Sequence, residues 1–413
     1  MARSSPFRID LQCPQCGAPA ELEETQQIID CPFCRVRHVV QNDPQLTACI
    51  QPQTDIPESE LTYIPYWRFK GMAFAFDRNR IRNRVIDTSS VALNASSLPP
   101  SLGLRSQTQT LRFATSSTRG QFLTPQVPRK QLRTRLSQQL LGQGSRHRSA
   151  LIQSHVGEIL SLIYAPYAVN GQGIFDGLTG RRLPGAGMDD LQNATASAPA
   201  ATCSFRPCLC PHCGWDLEGE TDSHVMACPG CRAMWISHRR EFVPIPFSLA
   251  SCSSGDTWLP FWQFGVRASS LCLGTRADLI RLANLPQAVT AREEQTRLLF
   301  RIPAFRIQPA LFLRLSRQLT VFDIQTQPCE ELELTGLHPA TLPVKEGFQA
   351  VLPLICELAW DKQAIQSTLP GCRLRPTGTE LVYLPFVRRR SELVQPELKT
   401  AFLKSALDLG REL

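Results

Sequence analysis

Cysteine spacing constrains this chain more than any other feature of its sequence. Two Cys-x-x-Cys pairs separated by fourteen residues occur near its beginning, and the same arrangement recurs 197 positions later. Four thiolates at such a spacing suit a structural zinc ion, which stabilises a small unit that has almost no core of its own. The predicted ligands of two zinc ions per chain are Cys13, Cys16, Cys31 and Cys34 in the first set and Cys210, Cys213, Cys228 and Cys231 in the second.

Cys-x-x-Cys pairs also serve two other chemistries, a redox dithiol and an iron–sulfur or rubredoxin-like iron site. A redox pair normally lies between a strand and a helix of a thioredoxin-like fold, whereas here the pairs form two matched sets of four. This arrangement favours zinc in a closed tetrahedral site, and each four-cysteine unit is a ribbon stabilised by one such site.

A second repeat follows each ribbon, in the form of aromatic–proline–aromatic segments. Residues 63–69 (YIPYWRF) recur as residues 258–264 (WLPFWQF), at an offset of 195 positions. A related segment closes each half, at residues 164–167 (YAPY) and 383–386 (YLPF). The order ribbon, aromatic segment, variable middle and aromatic segment therefore occurs twice, which predicts a tandem duplication.

The predicted fold class is α+β and rich in β structure, with each ribbon followed by a small, mainly antiparallel sheet. Residues 71–76 and 310–322 have the apolar pattern of strands, and apolar residues recur at helical spacing in residues 394–413. Small residues and a proline in 191–201 are typical of a flexible linker. The predicted divisions are a first ribbon (1–45), a first β-rich domain (46–190), a linker (191–204), a second ribbon (205–243), a second β-rich domain (244–390) and a C-terminal helix (391–413).

The remaining cysteines are not part of the repeat. Cys203 and Cys208 precede the second ribbon, where they could replace Cys210 or form an extra site with His212, and ordinary thiols are the favoured interpretation. His38 and His238 follow the ribbons at unequal distances, which indicates ordinary strand residues. Isolated cysteines in apolar or mixed surroundings are predicted to be core thiols. These are Cys49, Cys252, Cys272, Cys329, Cys356 and Cys372.

Positive charge is concentrated in residues 78–148, which hold thirteen Lys or Arg residues and one acid, Asp87. The chain as a whole has a formal net charge of +8. Alternating arginines on a strand would share one face, and such a face could bind phosphates, acidic lipids or an acidic protein. A solvated surface is the alternative. The candidate binding residues are Arg78, Arg80, Arg82, Arg84, Arg129, Lys130, Arg133 and Arg135.

No nucleotide-binding, metalloprotease or hydrolase motif occurs in the chain, so the sequence predicts a protein that is not an enzyme. No apolar run reaches the roughly 18 residues of a membrane-spanning helix, and residues 1–6 lack the pattern of a secretory signal. The expected location is therefore the cytoplasm.

The motifs resemble those of bacterial proteins with a transcription factor IIB-type zinc ribbon. In that group C-P-x-C-G and C-P-x-C precede a Y-x-P-aromatic strand and a hairpin ending in N/D-G-x-T-G. The matching segments are residues 13–34, 63–69 and 164–180, the last containing D-G-L-T-G. The resemblance implies an accessory role beside membrane-stress proteins of the phage-shock-protein A and SPFH kinds. The chain differs from the group in its duplication and in lacking a membrane segment.

Two hypotheses of function follow. The first is a non-enzymatic adaptor or scaffold that holds protein partners together, with a membrane surface as one candidate location. The second is a nucleic-acid-binding protein that uses residues 78–148 and the ribbon loops. A redox or metal-handling enzyme is a third reading, which would require labile thiols or an iron site.

Overall fold

The computed structural model describes most of the chain. It covers residues 7–42, 46–77, 80–141, 152–187, 191, 194–197, 203–238, 241–250, 255–322, 324, 326–328, 336–398 and 400–413. The candidate binding residue Arg78 and the cysteines Cys252 and Cys329 lie outside these ranges.

The first half is built mainly from strands. Its strands are β1 (Arg8–Gln12), β2 (Pro19–Glu23), β3 (Ile28–Asp30), β4 (Arg37–Asn42), β5 (Leu46–Ile50), β6 (Leu61–Asp77), β7 (Arg80–Val91), β8 (Leu111–Phe113), β9 (Gln121–Phe122), β10 (Ile152–Asn170) and β11 (Gly173–Asp176). Its helices are α1 (Arg105–Thr108) and α2 (Arg129–Leu141).

The second half contains more helix. Its strands are β12 (Cys203–Pro207), β13 (Val225–Ala227), β14 (Met234–His238), β15 (Glu241–Ile245), β16 (Phe247–Ala250), β17 (Thr257–Arg267), β18 (Leu299–Pro303), β19 (Thr326–Pro328), β20 (Arg375–Arg389), β21 (Glu392–Gln395) and β22 (Thr400–Leu403). Its helices are α3 (Arg276–Ala283), α4 (Ala291–Gln295), α5 (Pro309–Val321), α6 (Val344–Gln349), α7 (Val351–Leu358) and α8 (Ser405–Arg411).

The two main sheets share one arrangement of four strands. In the first sheet the order is β5-β10-β6-β7, and in the second it is β16-β20-β17-β18. The two central strands are antiparallel and carry the aromatic segments, while β5 and β16 run parallel to β10 and β20 respectively. The β-rich class is thus observed, with sheets that are antiparallel except at a few strand pairs.

Two predicted elements are wrong. Of the predicted strand 310–322, residues 310–321 lie in helix α5, because Pro309 begins a helix whose apolar residues, including Phe312 and Leu315, bury one face. Residues 391–413 are not one helix. A hairpin of β21 and β22 comes first, closed by the Gln395 side chain, which accepts a hydrogen bond from the Leu398 amide at 2.7 Å, and only Ser405–Arg411 is helical.

The predicted linker is tied to the first half where it is described. Ala196 forms a bridge with Leu123, and the Thr124 amide donates to the Thr195 carbonyl at 2.8 Å. Farther on, strand β12 pairs along β4 of the first ribbon. The described part of residues 191–204 is therefore hydrogen-bonded structure, since small residues can join a sheet edge as easily as they form a flexible coil.

One of the hydrophobic clusters spans both halves. Met72, Phe74 and Val156 of the first half belong to the same buried cluster as Trp262 and Phe312 of the second. Polar contacts cross the same boundary, because the Ser154 hydroxyl donates to the Gln349 carbonyl at 2.8 Å and the Glu158 amide donates to Glu346 Oε2 at 2.7 Å. The halves are consequently packed as one body.

Candidate metal centres

The first ribbon brings its four predicted ligands together. Their sulfur atoms lie within 4.8 Å of one another, and Cys13 Sγ is 3.7 Å from Cys34 Sγ, as is Cys16 Sγ from Cys31 Sγ. A tetrahedron with metal–sulfur bonds of about 2.3 Å places its sulfurs roughly 3.8 Å apart. The four thiols therefore have the separation that a bound zinc ion requires.

The second ribbon repeats this geometry with the same pairing of ligands. Cys210 Sγ lies 3.5 Å from Cys231 Sγ, and Cys213 Sγ lies 3.3 Å from Cys228 Sγ. Within each set the first cysteine pairs with the fourth and the second with the third. Because all four positions of each site are thiols, no position is left for substrate, which is the pattern of a structural metal site.

Each Cys-x-x-Cys pair forms a tight turn, called a knuckle, and the residue that follows the pair has a left-handed backbone conformation. Gly17 and Gly214 both have φ of +74°, and their amides donate to the carbonyls of Cys13 and Cys210 at 2.9 Å. In the second knuckles this position belongs to arginine, with φ of +59° at Arg35. A non-glycine residue there costs about 1–2 kcal/mol, which the closed metal site can offset.

Backbone amides aimed at the sulfurs favour the thiolate form that a metal needs. The amide of Cys34 is the largest influence on Cys31 and lowers the pKa of that thiol to about 7. Cys13 and Cys31 are buried while Cys16 is exposed, so each centre lies at the surface with one side turned to solvent. This donor set, four closely spaced thiols with amide support, fits zinc.

No family model, curated protein or solved structure matches this chain. The described part of the chain contains two zinc-ribbon-like four-cysteine sites, each able to hold one metal ion.

The two ribbons are locked to each other, which the sequence did not indicate. The Thr221 carbonyl of the second ribbon accepts the amides of Gln27 and Ile28 of the first at 2.7 and 2.9 Å. The Arg37 guanidinium donates to the carbonyls of Leu217, at 3.1 Å, and Gly219. The acceptors are backbone carbonyls about 180 residues away, so no sequence pattern predicts these contacts.

The other predicted thiols fall into several environments. Cys208 is buried between the ribbons, where burial raises its pKa to about 11, and it is not part of either four-thiol cluster. Cys49 and Cys356 are buried core thiols as predicted, and Cys372 is half-buried. Cys272 is exposed, so its prediction as a core thiol is wrong, because the apolar residues beside it turn inward without it. The Cys203 side chain lies outside the described part.

The predicted basic residues lie mostly on one face of the first sheet. Arg80, Arg82 and Arg84 alternate along the outer strand β7, opposite Asp77, Ala75 and Ala73 of β6. Helix α2 covers the same face, because its Leu132 and Leu136 belong to the buried cluster of Ala73 and Phe69. This surface, named the basic face, contains Arg80, Arg82, Arg84, Arg129, Lys130 and Arg133.

Several of these cations have acidic or aromatic partners. Arg82 Nε lies 3.0 Å from Asp77 Oδ2, and Arg133 Nη2 lies 2.5 Å from Glu158 Oε1. Arg129 lies over the Trp67 ring at 5.9 Å from its centre. The side chain of Arg135 is outside the described part. The basic face is therefore less positive than its composition indicated, since folding brings in acids from outside residues 78–148.

Among the described residues, no helix combines the length and apolar character needed to cross a lipid bilayer.

Proposed function

We propose that this chain is a non-enzymatic scaffold or adaptor protein of the cytoplasm, in which two zinc ions stabilise a duplicated ribbon-plus-sheet unit that holds protein partners together. The observation that carries this proposal is the pair of closed four-thiol centres in ribbons bonded to each other through Thr221 and Arg37. A zinc site with four protein ligands stabilises the fold, whereas a catalytic zinc site keeps one coordination position open.

The zinc sites and the buried tryptophans each stabilise one part of the fold in this proposal. Zinc, when bound, supplies a redox-inert cross-link between the two knuckles of a ribbon. The Trp67 indole donates to the Val127 carbonyl at 2.7 Å, and the Trp262 indole donates to the Leu342 carbonyl at 2.9 Å. These equivalent bonds fix the variable middle of each half on its sheet. The outer loops are thereby presented on a rigid support, as partner binding requires.

Recurrence of the four-strand order supports the duplication. The resemblance to IIB-type ribbon proteins makes membrane-stress proteins of the phage-shock-protein A and SPFH kinds the first partners to try, at a membrane surface.

The adaptor proposal is tested by purification from native cells after mild cross-linking, followed by reconstitution from purified components. A partner that forms a complex of fixed stoichiometry in light scattering supports the proposal. A chain that is recovered alone, before and after cross-linking, contradicts it.

A second candidate function is binding of a polyanion such as nucleic acid, favoured by the gathering of strand and helix cations on the basic face. Substituting Arg80, Arg82 and Arg84 by glutamine should weaken binding and reduce its salt dependence. The matched control is the exposed run Arg388–Arg390 on the second half, substituted in the same way. Loss in the basic-face variant alone supports this function, while equal affinities of the two variants contradict it. Binding of the same two variants to vesicles of anionic lipid is measured in parallel.

A further inference from the structure

A cleft of about 480 Å³ lies between the two halves of the chain. The first half lines it with helix α2 and the start of β10, and the second half lines it with α6, α7 and the residues that precede β20. The Ser154 hydroxyl donates to the Gln349 carbonyl at 2.8 Å and so joins the two walls. The volume is that of a small-molecule site, and such sites commonly lie where two domains meet.

The helices on the two walls are corresponding elements of the repeat. The Val127 and Leu342 carbonyls accept the equivalent indole bonds of Trp67 and Trp262. A proline follows each of these two acceptors, directly before α2 in the first half and directly before α6 in the second. Helix α2 therefore corresponds to α6, at an offset of 215 positions.

The strands that enter the cleft correspond as well. Strands β10 and β20 are related by the offset of 219 positions that separates their aromatic segments. Each contains one extra residue relative to its neighbouring strand, next to Ile159 in β10 and next to Gly378 in β20. Because these two positions are also 219 apart, the offset holds at the start of both strands, where they line the cleft.

Corresponding positions carry different chemistry on the two walls. In three pairs the first half supplies a polar or cationic side chain and the second half supplies an apolar one. These pairs are Arg133 with Phe348, Gln153 with Cys372, and His155 with Leu374. A fourth pair, Thr134 with Gln349, is polar on both sides. The two halves thus form a cleft with one polar wall and one largely apolar wall.

The apolar wall keeps part of its surface open to the cleft. Phe348, Leu352 and Leu374 line it and are half-buried. A ligand with an apolar body would remove this surface from water, which is the main favourable contribution to binding in such sites. The concave shape suits a small molecule, because a protein partner needs a broad contact surface.

The polar wall carries one positive charge that no described acid compensates. The charged residues that line the cleft are Lys130, Arg133 and Glu158. Arg133 Nη2 lies 2.5 Å from Glu158 Oε1, so these two charges offset each other. Burial lowers the pKa of His155 to about 4 and keeps it neutral near pH 7. Lys130 is exposed and forms no ion pair with a described residue, which leaves a net charge of about +1 for a ligand to meet.

We propose that this cleft binds a small amphipathic anion, with its apolar body against Phe348, Leu352 and Leu374 and its negative group beside Lys130. A carboxylate and a phosphate monoester share this chemistry. The site requires both halves, because neither half alone supplies both walls. The proposal is independent of the adaptor function.

The test is isothermal titration calorimetry of the full-length chain, loaded with zinc, at about 50 mM salt. The ligands are decanoate, decyl phosphate and the neutral decanol. We expect one anion to bind per chain, and decanol to bind about tenfold more weakly because it lacks the charge that Lys130 meets. Tighter binding of one of the two anions identifies the head group that the cleft prefers.

Two pairs of variants test the charge and the position of the site. Lys130→Gln should weaken binding of the anions by about threefold to tenfold and leave decanol unchanged. Its matched control is Lys345→Gln, at the corresponding exposed position of α6, which does not line the cleft. Gln153→Trp should fill the cleft and abolish binding of all three ligands. Its control is Gln287→Trp, at an exposed position outside the cleft.

All four variants change exposed side chains, so they should keep the metal content and the melting temperature of the wild type. The proposal is overturned if the wild type binds neither anion, if Lys130→Gln and Lys345→Gln bind the anions equally, or if Gln153→Trp binds them as tightly as Gln287→Trp does.

Discussion

Pro65 lies directly opposite Tyr164 across the central strand pair of the first sheet, and Pro260 lies opposite Tyr383 in the second. The relationship is reciprocal, because Tyr63 faces Pro166. Pairing of β6 with β7 ends at Tyr66, and pairing of β17 with β18 ends one residue from Pro260 in the same way. Each proline thus stands where an outer strand leaves the sheet, so its missing N–H removes no ladder bond. The two aromatic segments of each half are one paired unit.

Loss of a ribbon thiol should remove one metal ion. We expect Cys31→Ser to reduce bound zinc from about two ions per chain to about one and to expose its ribbon to protease, because metal binding supplies most of the folding free energy of such units. Elemental analysis of the purified chain and limited proteolysis measure both effects. Cys272→Ser, at an exposed thiol outside the clusters, is the control and should keep both ions. An unchanged metal content in Cys31→Ser would show that the cluster does not hold the ion.

Removal of the Trp262 indole N–H should destabilise the second half. Trp262→Phe leaves the Leu342 carbonyl without its donor in a buried site, which costs about 1–3 kcal/mol in addition to the lost packing. Chemical denaturation followed by circular dichroism measures the difference in the free energy of unfolding. Trp360→Phe changes a side chain that is 73% exposed and should shift that free energy by less than about 0.5 kcal/mol. Equal effects of the two substitutions would refute the role of this bond.

Gly410 provides a test of how closely α8 packs against the backbone at Arg306. A Cβ atom at this position would meet the Arg306 carbonyl oxygen and lie 2.9 Å from its carbon. Alanine normally stabilises a helix interior by about 1 kcal/mol relative to glycine. A decrease in stability on substitution by alanine would therefore show that the contact with Arg306 is too close for a Cβ atom. We expect Gly410→Ala to lower the melting temperature. Gly371→Ala, where nothing lies within 4 Å, is the control and should change it little.

The metal centres could be predicted from the sequence because their ligands lie in short segments of the chain. Cysteine ligands must lie close in the chain to form a knuckle, so their spacing carries the site, and Gly17 marks the turn that the knuckle needs. The aromatic segments likewise predicted strands, because β6 and β10 are long and apolar. The sequence patterns did not predict which strands pair between the two halves, such as β12 with β4.

The errors have a common physical origin. Leu311, Phe312, Leu313 and Leu315 in 310–322 fit an alternating as well as a helical pattern, and only packing against β18 and α7 selects the helix. In residues 394–413 the apolar positions fit a helix, yet cross-strand pairs such as Val394 with Ala401 form the hairpin. The contacts between the halves join residues far apart in the chain, such as Phe74 with Phe312 and Ser154 with the Gln349 carbonyl, and no local pattern predicts such pairs.

Stability should fall as the pH is lowered, in part through His155. Burial, with a contribution from Arg133, lowers the pKa of His155 from 6.5 to about 4. Below pH 6.5 the unfolded chain binds a proton that the folded chain refuses, so the free energy of unfolding decreases as the pH falls from 6.5 toward 4. The loss attributable to this group is about 2 kcal/mol at pH 5. His155→Asn should flatten the slope measured by urea denaturation between about pH 7.5 and pH 5, while both metal ions remain bound. His238→Asn, which removes an exposed histidine outside both four-cysteine clusters, is the control and should keep the wild-type slope. A slope that persists in His155→Asn would assign the pH dependence to other groups.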